Sequence, residues 1–217
     1  MSAAALAGVL LLAGCSVPSP TSSEESPRPA AHAKSPSPTP EAASVERLEL
    51  SFGGAEDLVE PHWAIGWADP FILDERFTVL EADDGNGSWS YTDLATTCEI
   101  HFYQGEVTDL DWSQDDRVVS DEMLAILAAG RPTDEERAQV AANAGDWAIP
   151  LESADGAVDL RVIGGAFPDG STVANGTRMF GALSGGVTVS LLCPAGRDAS
   201  SEFAPLADGF LRVSVTK

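Results

Sequence analysis

Thr97-Cys98-Glu99-Ile100-His101-Phe102-Tyr103 alternates with a period of two, and the fold is decided by that alternation. In an extended chain successive side chains point to opposite faces. Cys98, Ile100 and Phe102 therefore share one face, and Glu99, His101 and Tyr103 the other. Val187, Val189, Leu191 and Cys193 repeat the pattern near the end of the chain. They predict a second strand whose cysteine also points into the apolar interior.

Working outward, Phe77–Glu81 and Trp89 to Thr92 flank Asp83-Asp84-Gly85-Asn86-Gly87, a hairpin signature because Asn-Gly supplies positive φ. The stretch fails as a calcium loop. Counted from Asp84, the glycine position falls on Trp89 and the bidentate acid on Ala95. Asp109, Asp111, Asp115 and Asp116 surround Trp112 and are expected to form an acidic loop. Ser120-Asp121-Glu122 is expected to open a helix with Met123, Leu124 and Leu127 on its apolar side and Gly130 at its end. Thr133-Asp134-Glu135-Glu136 is a capping box that opens a second helix, with Val140 and Ala144 inside and Gly145 as the stop.

Strands are expected over 146–151 and 158–163, and turns at Asn175-Gly176 and Gly185-Gly186 lead into strands over 177–182 and 187–193. Asp198 is expected to cap a last helix with Phe203, Leu206, Ala207 and Phe210 on one side, after which Leu211, Val213 and Val215 close the sheet. A first strand is expected over 45–52. Between Pro61 and Pro70, Trp63 and Trp67 fall in a predicted loop with a short turn. Exposed, they would line a ligand groove; buried, they would cover the core. The outline is α+β: a mostly antiparallel sheet packed by two or three helices.

The 217 residues carry 34 acidic against 12 basic side chains, a net charge of −22. Residues 16–44 contribute little of it, with Glu24, Glu25 and Glu41 against Arg28 and Lys34. The domain over 45–217 therefore repels nucleic acid and anionic headgroups, while cationic partners or plain solubility suit it. Residues 16–44 also hold half of the fourteen prolines, Pro36-Ser37-Pro38-Thr39-Pro40 among them. With little apolar surface to bury, they are expected to form a disordered tether.

Ahead of it, an apolar run from Ala3 ends in Leu12-Ala13-Gly14-Cys15, although Met1 to Leu12 carries no Lys or Arg. About eleven residues at ~1.5 Å each fall short of a ~30 Å hydrocarbon core, so the run is a signal h-region and not a span. Leu12-Ala13-Gly14-Cys15 resembles the lipobox of bacterial lipoprotein precursors. That resemblance implies a signal peptide over 1–14, diacylglycerol on the Cys15 sulfur, and a lipid-anchored tether over 15–44. It also implies one extracytoplasmic domain over 45–217 on the outer face of the cell membrane. In outline alone, the domain loosely resembles the PsbP-like domains of some actinobacterial lipoproteins.

In such an exported chain the three cysteines divide into Cys15 for lipid and Cys98 with Cys193 for a disulfide. A metal site of Cys98, His101 and Cys193 is disfavoured, because an odd offset in a strand sends Cys98 and His101 to opposite faces. No metal and no cofactor is expected. Gly181-Ala182-Leu183-Ser184-Gly185 has its serine one place off a nucleophile elbow, and no phosphate loop or dinucleotide fingerprint is present. The expected function is a non-catalytic binding or envelope-structural domain of a cell-surface lipoprotein. Its partners are the membrane, through its anchor, and an unknown protein or small molecule. The alternatives are a substrate-binding lipoprotein of a transporter and, behind it, an envelope enzyme, whose sign would be a pocket joining His62 or His101 to a nucleophile and an acid.

Overall fold

Five strands come first: β1 (Leu48–Leu50), β2 (Ala64–Ala68), β3 (Phe77–Glu81), β4 (Ser88–Asp93) and β5 (Glu99–Glu106). Helices α1 (Asp116–Ala129) and α2 (Asp134–Asn143) follow. The chain then returns to strands β6 (Gly145–Pro150), β7 (Gly156–Ala166), β8 (Thr172–Phe180) and β9 (Gly185–Cys193). It ends in α3 (Ala199–Gly209) and β10 (Arg212–Thr216). This computed structural model describes residues 47–217 apart from 55–57 and 153; the signal peptide, Cys15 and tether expected from the sequence lie outside the described residues.

The expected α+β class is what the chain forms. The main sheet runs β1-β7-β8-β9-β5-β4-β3, with β6 also on β7, and its strand pairs are antiparallel except β1 with β7. Ile100, Phe102, Val189 and Leu191 of its two central strands point to one face, where Phe203 and Leu206 of α3 meet them. The opposite face takes α1 and α2, with Val119 against Met179 and with Leu124, Ala125 and Val140 beside Ile163.

Several elements differ from the sequence expectations, each for a physical reason. The stretch with Trp63 and Trp67 is only partly loop: a turn at 61–62 leads to Trp63, but Trp67 lies in β2, which pairs antiparallel with β10, Trp67 opposite Val213. Val213 and Val215 therefore join a two-stranded ribbon with β2, which meets the main sheet through a bridge from Val213 to Leu151 beyond β6, and Leu211 precedes the strand. Trp67 lies against the core, its Nε1–H donating to the Thr188 carbonyl (2.9 Å) and its ring edge-on to Phe102. Trp67→Phe removes that buried hydrogen bond and part of the packing. A loss of about 1–2 kcal/mol in chemical denaturation is expected.

Helix α1 starts a turn before Ser120, because the Asp115 carboxylate caps it by accepting from the Arg117 N–H (2.8 Å). Ser120 sits inside, buried. Its Oγ donates to the Asp116 carbonyl (2.7 Å) and accepts from the Met179 N–H (2.9 Å). Asp116 likewise leaves the expected acidic loop to accept from the buried Arg178 and from the Gly181 N–H (2.8 Å). Asn175-Gly176 and Gly185-Gly186 are not turns. The first pair lies within β8 and the second opens β9; the reversals fall at 167–171 and at Gly181–Leu183, with Ser184 left-handed. The capping box of α2 forms as expected, with Thr133 and Glu136 satisfying each other's backbone N–H.

At the end of β4, Asp93 is 3 % exposed and accepts a forked pair of hydrogen bonds from Arg76 (2.9 and 2.5 Å). It also accepts from the Ala95 N–H and from Thr96 Oγ1, both at 2.9 Å. Burial alone would push this carboxyl up. The hydrogen bonds from Arg76, Ala95 and Thr96 outweigh it and hold the group below the ordinary carboxylate range. A carboxyl depressed in the native state contributes stability above its unfolded value, about 3.9, and that stability is lost as the pH falls through the native value. Unfolding free energy measured against pH is expected to fall along this acid limb, and Asp93→Asn to flatten it.

Candidate functional site

On the α1 side of the sheet, strand register assembles a polar row that the sequence scatters. Glu81 stands opposite Ser90, Ser90 opposite His101, His101 opposite Ser190, and Ser190 opposite Asn175. Two shallow hollows of about 310 and 230 Å³ meet at this row, with Leu127 of α1 bordering both. His101 is accordingly brought together with hydroxyls and acids, while His62 lies apart and exposed beside Glu60. His101 Nε2 faces Glu99 Oε2 at 3.3 Å.

The row has nucleophile, base and acid side chains but not their working arrangement. Ser190 Oγ donates to Asn175 Oδ1 (2.7 Å), so the proton a base would remove is engaged elsewhere. At His101 and Ser190, β5 and β9 each have a strand partner on both sides, so the backbone N–H groups of these two residues serve the ladder. Ser90, 1 % exposed, has an Oγ without a hydrogen-bond partner among the described residues.

The two tryptophans part company. Trp67 is buried as described, whereas half-buried Trp63 borders a hollow of about 230 Å³ with Pro61, Ile65 and Leu183, and Lys217 Nζ lies 4.7 Å from its ring centroid. Cys98 and Cys193 form a disulfide at one end of β5 and β9. Their sulfurs are thereby removed from any metal set with His101, which lies on the other face. Among the described residues no three His, Cys, Asp or Glu side chains gather as metal ligands.

A groove of about 580 Å³ opens between α2 and the far end of β7. Ala125, Ala129, Val140 and Ile163 make its apolar lining, Glu136, Gln139 and Asn143 its polar wall, and Ser200 of α3 closes it beside Gly164. Volume and mixed lining match recognition sites, which run to roughly 300–1,000 Å³. The wall is held from beneath by Arg161, 1 % exposed, whose guanidinium reaches Asp121 (2.6 Å), Asp146 (2.7 Å) and the Ala141 carbonyl at the end of α2 (3.3 Å). Burial favours a raised Asp146 carboxyl, but hydrogen bonds from Arg161 and Arg117 hold it low, so it stays charged. The sequence offers no motif for this groove; it arises where β6 stops short of the end of β7.

Fold and site together describe an α+β domain whose main sheet carries helices on both faces, with a groove at its edge. No family model, curated protein or solved structure matches the chain.

Proposed function

We propose that this chain is a lipid-anchored, extracytoplasmic binding protein whose domain recognises a partner without transforming it. The observation that carries the non-catalytic half is Ser190: its hydroxyl donates to Asn175, and His101 faces Glu99 rather than that serine. The groove between α2 and β7 supplies a recognition surface with no nucleophile paired to a base. The anchor rests on Leu12-Ala13-Gly14-Cys15, and the Cys98–Cys193 disulfide suits an oxidising compartment. A two-lobed transporter receptor is less well supported, since the described strands centre on one sheet with a small ribbon.

Two measurements test the reading. In a bacterial host the chain is expected to take up labelled fatty acid and partition into the detergent phase, and Cys15→Ser to abolish both. A Cys15 found unmodified and still joined to Gly14 would end the anchor proposal. A serine-directed fluorophosphonate is expected to leave Ser190 unlabelled. Labelling at Ser190 that His101→Ala removes would make the domain an enzyme.

A further inference from the structure

The ladder of β7 ends on one side before it ends on the other. The Phe167 N–H donates to the Ser171 carbonyl (2.9 Å), closing the hairpin to β8. Antiparallel strands alternate their bonded pairs, so residues 163 and 165 also turn their polar groups toward β8. On the other side the Leu151 N–H donates to the Gly156 carbonyl (3.1 Å), so residues 158, 160 and 162 face β6. Gly164 and Ala166 continue that second series, but β6 ends at Gly145, opposite Val162. Two N–H and two C=O groups are left along an exposed edge with no strand beside it among the described residues.

The same fold covers such groups elsewhere. Past Thr177 the edge of β8 loses β7, and there Ser120 and Asp116 of α1 take the N–H groups of Met179 and Gly181. Ser200 of α3 approaches Gly164 from the sheet face, where a Cβ would stand, but among the described residues no side chain hydrogen-bonds the outward N–H or C=O of Gly164 or Ala166. Open edges are ordinarily blunted by Lys, Pro or a bulge, and Gly164-Gly165-Ala166 carries none of these. At Gly164 the bare edge borders the groove whose wall is Glu136, Gln139 and Asn143, Ala166 borders the adjoining hollow of about 310 Å³, and no Lys or Arg lines either.

We propose that this groove docks an extended segment of a protein partner bearing basic side chains, which adds as a strand along Gly164–Ala166. The proposal rests on reading the chain as a binding protein. Unmet backbone donors and acceptors on a strand edge call for another backbone, and alternate side chains of the added strand would enter the groove. Charge selects its sign. Glu136 stays ionised because the Thr133 N–H and hydroxyl bond its carboxylate (2.7 and 2.9 Å), and the chain as a whole is at −22. A second copy would bring the same excess of negative charge to the edge, which disfavours self-pairing.

The test uses the full chain and a fluorescent heptapeptide of alternating Lys and Val, compared with its Glu-Val counterpart. The Lys peptide is expected to bind and to slow amide exchange at Gly164 and Ala166, and the Glu peptide to fail. Ala166→Pro deletes an outward N–H that the ladder does not use, so the fold is expected to survive while affinity falls roughly tenfold. Gln139→Lys, on the exposed face of α2, is expected to weaken binding by a similar factor and keeps the test valid if the proline variant misfolds. Equal affinity for both peptides, or indifference to both substitutions, overturns the proposal. So does a dimer of the free chain that Ala166→Pro dissociates, which would assign the edge to a second copy. Mass spectrometry of the recovered peptide separates the two readings: a cleaved peptide defeats the non-catalytic function while edge-dependent docking stands.

Discussion

Arg161→Ala is expected to cost about 3–5 kcal/mol of folding free energy, the range for breaking a buried ion pair from one side. The side chain is 2 % exposed and makes three hydrogen bonds to three different elements: Asp121 of α1, the Ala141 carbonyl of α2 and Asp146 of β6. Removing it strands the Asp121 carboxylate, itself only 14 % exposed, and takes a cation away from the C-terminal end of α2. Asp146 suffers less, since it is 40 % exposed and keeps Arg117 at 2.9 Å. Chemical denaturation of Arg161→Ala, Asp121→Asn and the double variant closes a cycle. A large coupling between the two positions is expected, because much of the single-variant loss is the charge left unpaired. Full additivity would show that Arg161 acts through its hydrocarbon stem alone. The groove offers a second readout, since α2 forms its wall and loses its tether to the sheet: binding there should weaken even where the domain remains folded.

What the sequence reveals of this fold is what depends on near neighbours. The Thr133 capping box, the Asp198 cap, the 83–87 hairpin and the alternation through Cys98, Ile100 and Phe102 all rest on residues a few places apart, and all appear where the pattern puts them. Failures cluster at glycines, where one residue type serves two purposes. Gly176 resembles half of a turn, yet a Cβ there would lie 3.2 Å from both Phe203 and Val189, so the glycine admits α3 to the sheet. Gly186 sits where a Cβ would fall 2.1 Å from the Arg178 carbonyl, a close approach of strands and not a reversal. In the stretch between Pro61 and Pro70, expected as a loop, Gly66 clears space for Gln104, whose Oε1 accepts from the Trp67 N–H (2.7 Å). The partner of that segment is β10, at the opposite end of the described chain, and no local pattern announces it.

The sites were hidden for the same reason. Ser90, His101, Ser190 and Asn175 become neighbours only through the register of four strands. The bare edge at Gly164 and Ala166 exists because β6 pairs with β7 only as far as Val162 while β8 runs on to Ala166, a difference in strand length that composition does not encode. The paired cysteines were accessible because each shares a face with apolar neighbours, so both side chains had to enter the same interior.

The second large effect is expected at that pair. Replacing Cys98 and Cys193 together by alanine is expected to lower stability by roughly 2–4 kcal/mol. The two residues follow directly on the register that sets Glu99 opposite Leu192, so they face each other across adjacent strands, with Cα atoms 4.3 Å apart. The bond joins positions 95 apart in sequence and, in the unfolded chain, closes a loop that holds α1, α2 and β6 through β8. Losing it returns that loop's entropy to the denatured state, while the folded state gives up only a small, fully buried pair of sulfurs. Denaturation of the oxidised chain, the reduced chain and the double alanine variant separates these contributions. Reduction and double substitution are expected to agree within about 1 kcal/mol, because both open the same loop, and the denaturant slope should rise as the unfolded chain expands. The single variant Cys98→Ser is expected to fare worse than the double alanine, since it leaves an unpaired hydroxyl in a site with no solvent access. A double variant within 0.5 kcal/mol of the parent would mean that the sheet alone holds β5 against β9, and that the bond does not brace the fold.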